Sequence, residues 1–442
     1  MKVRTAVVSV MAAALGLLGS PRGQASGARV GPGVREALLE APRVRVVVAF
    51  REPEAPASQL ALRMGQIHDL RTAILRDLRP GDFEATHRWG LVPGMAGWIT
   101  TSGLERLLSD PDVTLIDLDT PAAAHMAEAV PLVHADEVQA MGVTGRGVTV
   151  AVLDTGIDTD HPDFSGRIID QACFCVSGGG NCCPGGAAER TGPGSAEDDN
   201  GHGTNVAGII AGGGVSAPRG MAPEATIVAV KVLDRSGSGA SSSIVSALDY
   251  VLRSRPEVKV VNLSLGLSNL FPGTCDSAAA FTTGFASAIN ALRARGTITF
   301  ASSGNSGNAS QIAVPGCIAA AVAVGAVYDG EAGSITLGCT DSTTSADRVA
   351  CFSNASPAMD LLAPGAPSTS SGVNGGSITF VGTSQACPAA AGAGVLLMSA
   401  NPGAGPDQVE QALKDTGASI TDPRNGMSFR RINVRAAIDK VR

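Results

Sequence analysis

Three short segments of the 442-residue chain hold residue types that together perform one kind of chemistry. Val152-Leu153-Asp154-Thr155-Gly156 puts a carboxylate at the end of an apolar run. Open α/β sheets bind their ligands at the carboxyl ends of such strands, although a lone Asp there reads equally as a turn former. Asn200-Gly201-His202-Gly203-Thr204 sets an imidazole between two glycines at the start of a predicted helix. Glycines on both sides permit close backbone approach and unusual dihedrals. Phe380-Val381-Gly382-Thr383-Ser384-Gln385 turns a strand into a helix with Ser384 near its start. The free N–H groups and the dipole of a helix start favour a developing negative charge. Taken singly, His202 reads as a capping residue in a Gly-rich loop and Ser384 as a plain N-cap.

Taken together the three segments are specific. A serine hydroxyl is a weak nucleophile until a base takes its proton. A histidine supplies that base, and a buried aspartate fixes its tautomer and steadies the imidazolium. Asp, His, Ser is one of the chain orders in which this constellation recurs. On Asp154-Thr155-Gly156, Gly201-His202-Gly203-Thr204 and Gly382-Thr383-Ser384, the sequence resembles the subtilisin-like serine peptidases (subtilases), over roughly residues 128–442. The resemblance implies catalytic roles for Asp154, His202 and Ser384. It adds Asn305, in Ser303-Gly304-Asn305-Ser306-Gly307, as the side-chain donor to the oxyanion. It gives Ser264, Leu265 and Gly266 as the strand that pairs with a peptide substrate. Ala301, Ser302, Ser303 and Gly304 become the facing wall of the first specificity pocket. Neither segment carries an acidic residue, so an apolar or uncharged side chain is expected on the acyl side of the scissile bond.

The same resemblance implies a serine endopeptidase that needs no cofactor for catalysis. Asp163 matches a position that binds calcium in some relatives, which allows a structural calcium. Many subtilases carry Met after the nucleophile and His after the following proline; here these are Gln385 and Ala389. A catalytically inactive homologue that binds peptides is the competing expectation. An esterase is a second, disfavoured because Ser384 lacks a Gly-x-Ser-x-Gly elbow and such enzymes run Ser before His.

Elements that could position these residues are visible in the patterning. Val148–Leu153, Ile227–Leu233, Val258–Leu265, Thr297–Ser302 and Ala319–Val327 are apolar runs of the kind buried parallel strands show. Thr204–Ala211, Ser242–Arg253 and Ala278–Arg295 have helical character and lie between them. Strands alternating with helices predict a mostly parallel α/β sheet, covered on both faces, in a subtilisin-like three-layer fold. Upstream, the pattern predicts strands at Val44–Phe50, Ala85–Val92, Met95–Thr101 and Val113–Leu118, with helices at Ser58–Leu78 and Leu104–Leu108. This β-α-β-β-α-β order is ferredoxin-like. The expected organisation is a leader over residues 1–25, a small α+β domain over 26–125 and a catalytic domain over 126–442. The small domain resembles the inhibitory propeptide of subtilases, with processing expected in the polar, Ala-rich stretch Asp119–Glu128.

Composition narrows the partners. With 33 Lys+Arg against 40 Asp+Glu, the net charge of −7 is unsuited to nucleic acid, which needs a basic surface. Lys2 and Arg4, the apolar stretch Val7–Leu18 and Gly23-Gln24-Ala25 have the form of an export signal. A secreted, extracellular, monomeric protein without a membrane anchor is expected. All nine cysteines lie between Cys173 and Cys387, and in an oxidising compartment most should pair. Cys275 and Cys317 are placed to tie together the ends of a predicted helix and strand, and Cys339 and Cys351 bracket a polar insertion. Cys173, Cys175, Cys182 and Cys183 make two bridges in an order left open, with a zinc site as the rival arrangement. Cys387 is left over.

Overall fold

A computed structural model of the protein describes residues 28–31, 33–55, 59–90, 92–118, 126–178 and 180–442. The expected leader and residues 119–125 of the expected processing stretch lie outside the described residues. The chain divides into two compact units, residues 1–122 and 123–442.

In the first unit, β1 (Arg29–Val30) and α1 (Val34–Glu40) precede β2 (Val44–Phe50), α2 (Leu60–Arg76), β3 (Phe83–Arg88), β4 (Gly94–Ile99), α3 (Thr101–Leu108) and β5 (Val113–Leu118). The sheet order is β1-β5-β2-β4-β3, with β2 antiparallel to β4 and β5. The alternation of Val44, Val46, Val48 and Phe50 turns one face of β2 inward against Ile74 of α2 and Leu104 and Leu107 of α3. β1 and α1 were not expected from the sequence.

The second unit is built on a ten-stranded sheet. Its strands in chain order are β6 (Thr149–Asp154), β7 (Ile168–Phe174), β8 (Glu189–Thr191), β9 (Thr226–Lys231), β10 (Val258–Leu263), β11 (Ile298–Ser302), β12 (Ala321–Tyr328), β13 (Leu361–Ala366), β14 (Ala418–Thr421) and β15 (Ser428–Arg431). Their spatial order is β8-β7-β9-β6-β10-β11-β12-β13-β15-β14. The two edge pairings, β8 with β7 and β14 with β15, are antiparallel, and the pairings between them are parallel. The apolar runs are continuous because both faces are covered. On one face Val150, Val152, Ala229 and Phe300 pack with α4 (His202–Ala211) and α7 (Thr383–Ala400). On the other Ala151, Leu153, Val230 and Leu263 pack with α5 (Ser241–Ser254) and α6 (Ala280–Ala294). From β6 the chain goes out to β7 and β8, comes back to β9 beside β6, and then crosses to β10 on the other side of β6. The carboxyl end of β6 is therefore a topological switch point, where such sheets form crevices.

Candidate active site

Asp154 ends β6 at that switch point and is fully buried. Its Oδ1 accepts a hydrogen bond from the Thr155 N–H at 2.7 Å and faces Nδ1 of His202 at 2.7 Å. His202 opens α4 after Gly201, whose φ of 101° lies in the left-handed region that glycine adopts without strain. Gly203 brings the two elements together. A Cβ there would lie 2.1 Å from the Gly156 carbonyl oxygen and 3.1 Å from the Asp154 Cβ. Only a residue without a side chain lets α4 approach β6 closely enough for the imidazole to meet the carboxylate.

Ser384 occupies the second position of α7, where backbone N–H groups have no intrahelical acceptor. Ser384 and His202 line one groove of about 700 Å³, together with Ser264, Leu265 and Gly266. The link from the ring to Ser384 is this shared groove; among the described residues no hydrogen bond joins them. Asn305 follows β11 on an exposed loop. Its Oδ1 accepts from both the backbone N–H and the hydroxyl of Thr383, each at 2.8 Å. That leaves the amide nitrogen beside Gly382, 3.2 Å from where a Cβ would stand. Ala301, Ser302 and Ser303 are buried at the end of β11, next to the loop that carries Asn305. Ser302 Oγ donates to the Leu265 carbonyl at 3.0 Å, and the Gly304 N–H donates to Thr383 Oγ1 at 3.2 Å. These residues hold the groove's strand and the start of α7 in place.

Two further residues organise the site, and the sequence reading missed both. Asp198 Oδ1 accepts from the Thr155 hydroxyl at 2.9 Å and from the Asn200 and Gly201 N–H groups at 3.0 Å each. Its Oδ2 accepts from the N–H and hydroxyl of Thr204 at 3.0 and 2.6 Å. Lys231, at the end of β9, is 1% exposed; its Nζ donates to the Thr155 carbonyl and to Asp199, each at 2.6 Å. The signal for Asp198 was its place four residues before His202, in a Gly-rich loop whose N–H groups need an acceptor.

The electrostatics follow from this packing. Burial acts to lower the pKa of His202, but the charge and hydrogen bond of Asp154 and the charge of Asp198 outweigh it, and the net shift is upward. Eight cysteines are bridged as Cys173–Cys183, Cys175–Cys182, Cys275–Cys317 and Cys339–Cys351. The four-cysteine segment is thus a disulfide pair and not a zinc site. Cys387 is a buried free thiol on α7, and burial pushes its pKa far up.

The Subtilase family model (Peptidase_S8) matches residues 145–431. The alkaline protease of Shouchella clausii is 33% identical over 386 residues, which cover 86% of this chain and 88% of the relative. The extracellular serine proteinase of Thermus sp. (strain Rt41A) is 32% identical, with 85% and 86% covered. A crystal structure of a cold adapted subtilisin-like serine proteinase superposes with a TM-score of 0.50 at 28% identity, over 65% of this chain and 89% of that one. Fold and relatives define a serine-type endopeptidase of the subtilisin-like α/β class. The chain belongs to the subtilase family.

Proposed function

We propose that Ser384 is the nucleophile, His202 the general base and then acid, Asp154 the residue that orients His202, and Asn305 with the Ser384 N–H the holders of the oxyanion. The observation that carries this reading is the 2.7 Å contact between His202 Nδ1 and Asp154, beside the groove that also holds Ser384. With Nδ1–H directed at the carboxylate, Nε2 is the ring nitrogen free to accept a proton. Ser384 Oγ attacks the peptide carbonyl carbon and its proton passes to Nε2. The carbonyl electron pair moves onto oxygen, toward the Asn305 amide and the Ser384 N–H. Collapse breaks the C–N bond, and the leaving amine takes the proton from Nε2. Water then repeats the sequence on the acyl-enzyme, releasing the acid and returning the proton to Ser384. All of these groups belong to the chain, so the chemistry requires no cofactor.

Proteins and peptides are the substrates. The groove lining contains no acidic side chain, which supports apolar or uncharged residues next to the scissile bond. Residues 26–125 act as an intramolecular inhibitor removed by cleavage within Asp119–Glu128. The ferredoxin-like strand order of the first unit supports this. The protein is exported, in keeping with its leader and with a relative named extracellular. No helix among the described residues is long and apolar enough to cross a membrane. For a structural calcium, Asp158, Asp160 and Glu197 each offer a carboxylate oxygen within 4.8 Å of the others, the hard donors this ion takes. Asp163 does not fit that role. Its carboxylate already accepts from the N–H groups of Val215 and Ser216 and from the Ser371 hydroxyl.

Intact mass and N-terminal sequence of wild type beside Ser384→Ala test the reading. Wild type is expected to lose its first unit and to label with a serine-reactive phosphonate, while the variant keeps the unit and does not label. Undiminished peptide hydrolysis by Ser384→Ala would refute it.

A further inference from the structure

The four-cysteine segment between β7 and β8 does not line the groove, yet it is bonded to one of the groove's walls. β7 runs parallel to β9 with Cys173 opposite Lys231. The segment therefore leaves the sheet beside the point where the chain continues from β9 into Val232–Ala240. Gly237, Ser238 and Gly239 of that continuation line the groove, as do Ser264–Gly266. The segment folds into a ribbon pairing Val176–Ser177 with Gly180–Asn181, clasped by nested bridges from Cys173 to Cys183 and from Cys175 to Cys182. At one end of the wall, the Ala240 N–H donates to the Val176 carbonyl at 2.9 Å, and the Val176 N–H donates to Ser243 Oγ at 3.0 Å. At the other end, Ser177 hydrogen-bonds Asp234. Asp234 in turn accepts from the N–H groups of Ser236 at 2.8 Å and Ser238 at 3.0 Å.

We propose that this doubly bridged ribbon fixes the wall Asp234–Ala240 in register with Ser264–Gly266, and so determines the preference for extended peptides over short substrates. The inference rests on the groove being the substrate site. An extended peptide gains affinity by hydrogen-bonding along a strand edge, and backbone groups of a second wall held on the other side of the groove add to that gain. A two-residue hairpin alone is marginal in water, so the bridges make the ribbon a dependable brace. A substrate with a single residue on the acyl side does not reach the braced wall and does not sense it.

The test compares a tetrapeptide anilide with a single-residue ester carrying the same residue at the scissile bond, in mature enzyme. Cys175→Ser/Cys182→Ser should lower kcat/KM for the tetrapeptide about 10-fold, mainly through KM, and change the ester less than about twofold, in line with the loss of one or two hydrogen bonds. Ser243→Ala keeps both bridges and removes one acceptor. It should move the same ratio in the same direction by a smaller factor, and it decides the matter if the double variant does not fold. Equal changes for the two substrates, or no change for either, would overturn the proposal. Wild type that labels with a phosphonate and hydrolyses the ester upholds the site reading whatever the ratio does. Wild type inert to both would overturn the site reading and the brace together.

Discussion

Asp198 holds five donors from two stretches of chain, and its charge adds to that of Asp154 in raising the His202 pKa. Asp198→Asn would turn an amide toward groups that already donate. We expect kcat to fall about 10- to 100-fold, the scale of losing support for a positioned base. The acid limb of kcat/KM should move to lower pH, since removing a negative neighbour makes the imidazolium easier to deprotonate. A pH–rate profile with an unshifted limb would count against this. The raised His202 pKa also has a stability sign. The folded state holds that proton more tightly than the unfolded chain. The stabilisation is full below the ordinary histidine value and is lost as pH rises through the raised one. The enzyme is therefore active where that contribution is gone. Asn305→Ala should cost about 100- to 1000-fold in kcat with little change in KM, read by steady-state kinetics. With Gln385 beside the nucleophile in place of Met, and Cys387 buried and held protonated, activity should survive hydrogen peroxide; loss of activity with oxidation mapped to Cys387 would contradict this. Asp154, His202, Ser384 and Asn305 were legible because each sits in a short run whose context is local. Asp198 carried only the weak local signal of a carboxylate in a Gly-rich loop, and Lys231 carried none, since its partners Thr155 and Asp199 meet it only in the fold.

At the level of elements, the site depends on close approaches between helices and the strands beneath them. Within α4, a Cβ on Gly208 would lie 2.2 Å from Ser370 Oγ and 2.8 Å from the Ser371 backbone nitrogen. Gly208→Ala should therefore push the His202 helix off the hairpin formed by Ser368–Gly372 and Gly376–Phe380, which leads into Ser384. A loss of about 1–3 kcal/mol, the usual cost of overpacking, is expected in denaturant unfolding, together with reduced kcat. Wild-type stability in that variant would argue that the helix and hairpin are not tightly docked. The apolar strands and the amphipathic helices were readable from their periods. β13 was not, because Leu-Leu-Ala-Pro-Gly-Ala reads as a turn. Its Pro364 is accommodated beside the register shift between Val327 and Tyr328, as prolines in sheets tend to be. The pair β14 and β15 was missed for another reason: Ser428-Phe429-Arg430-Arg431, although paired on both sides, is polar at three of its four positions and lacks the apolar run of a core strand.

For the molecule as a whole, the bridges close loops of the chain, and Cys275 and Cys317 do so from within the apolar core. Cys275–Cys317 closes a loop 42 residues apart in sequence. By the chain-entropy account its removal as Cys275→Ser/Cys317→Ser should cost about 4 kcal/mol, measurable as a lowered denaturation midpoint; an unchanged midpoint would show that the bridge constrains nothing. The sequence carried the number of bridges but not the pairing within the clustered four, because adjacent cysteines leave several geometries open until the ribbon forms. The buried course of α7, packed on β10, β11, β12 and β13, has a consequence in time. The residue proposed to attack lies 230 positions after Asp154 along the chain (384 − 154), on the helix that closes one face of the sheet. Folds rich in long-range contacts of this kind form slowly. A chain emerging from its site of synthesis, or passing unfolded through an export channel, holds the parts of a protease but no working blade. The capacity to cut needs contacts that span most of the second unit, so it belongs to the folded molecule and to no shorter stretch of its chain.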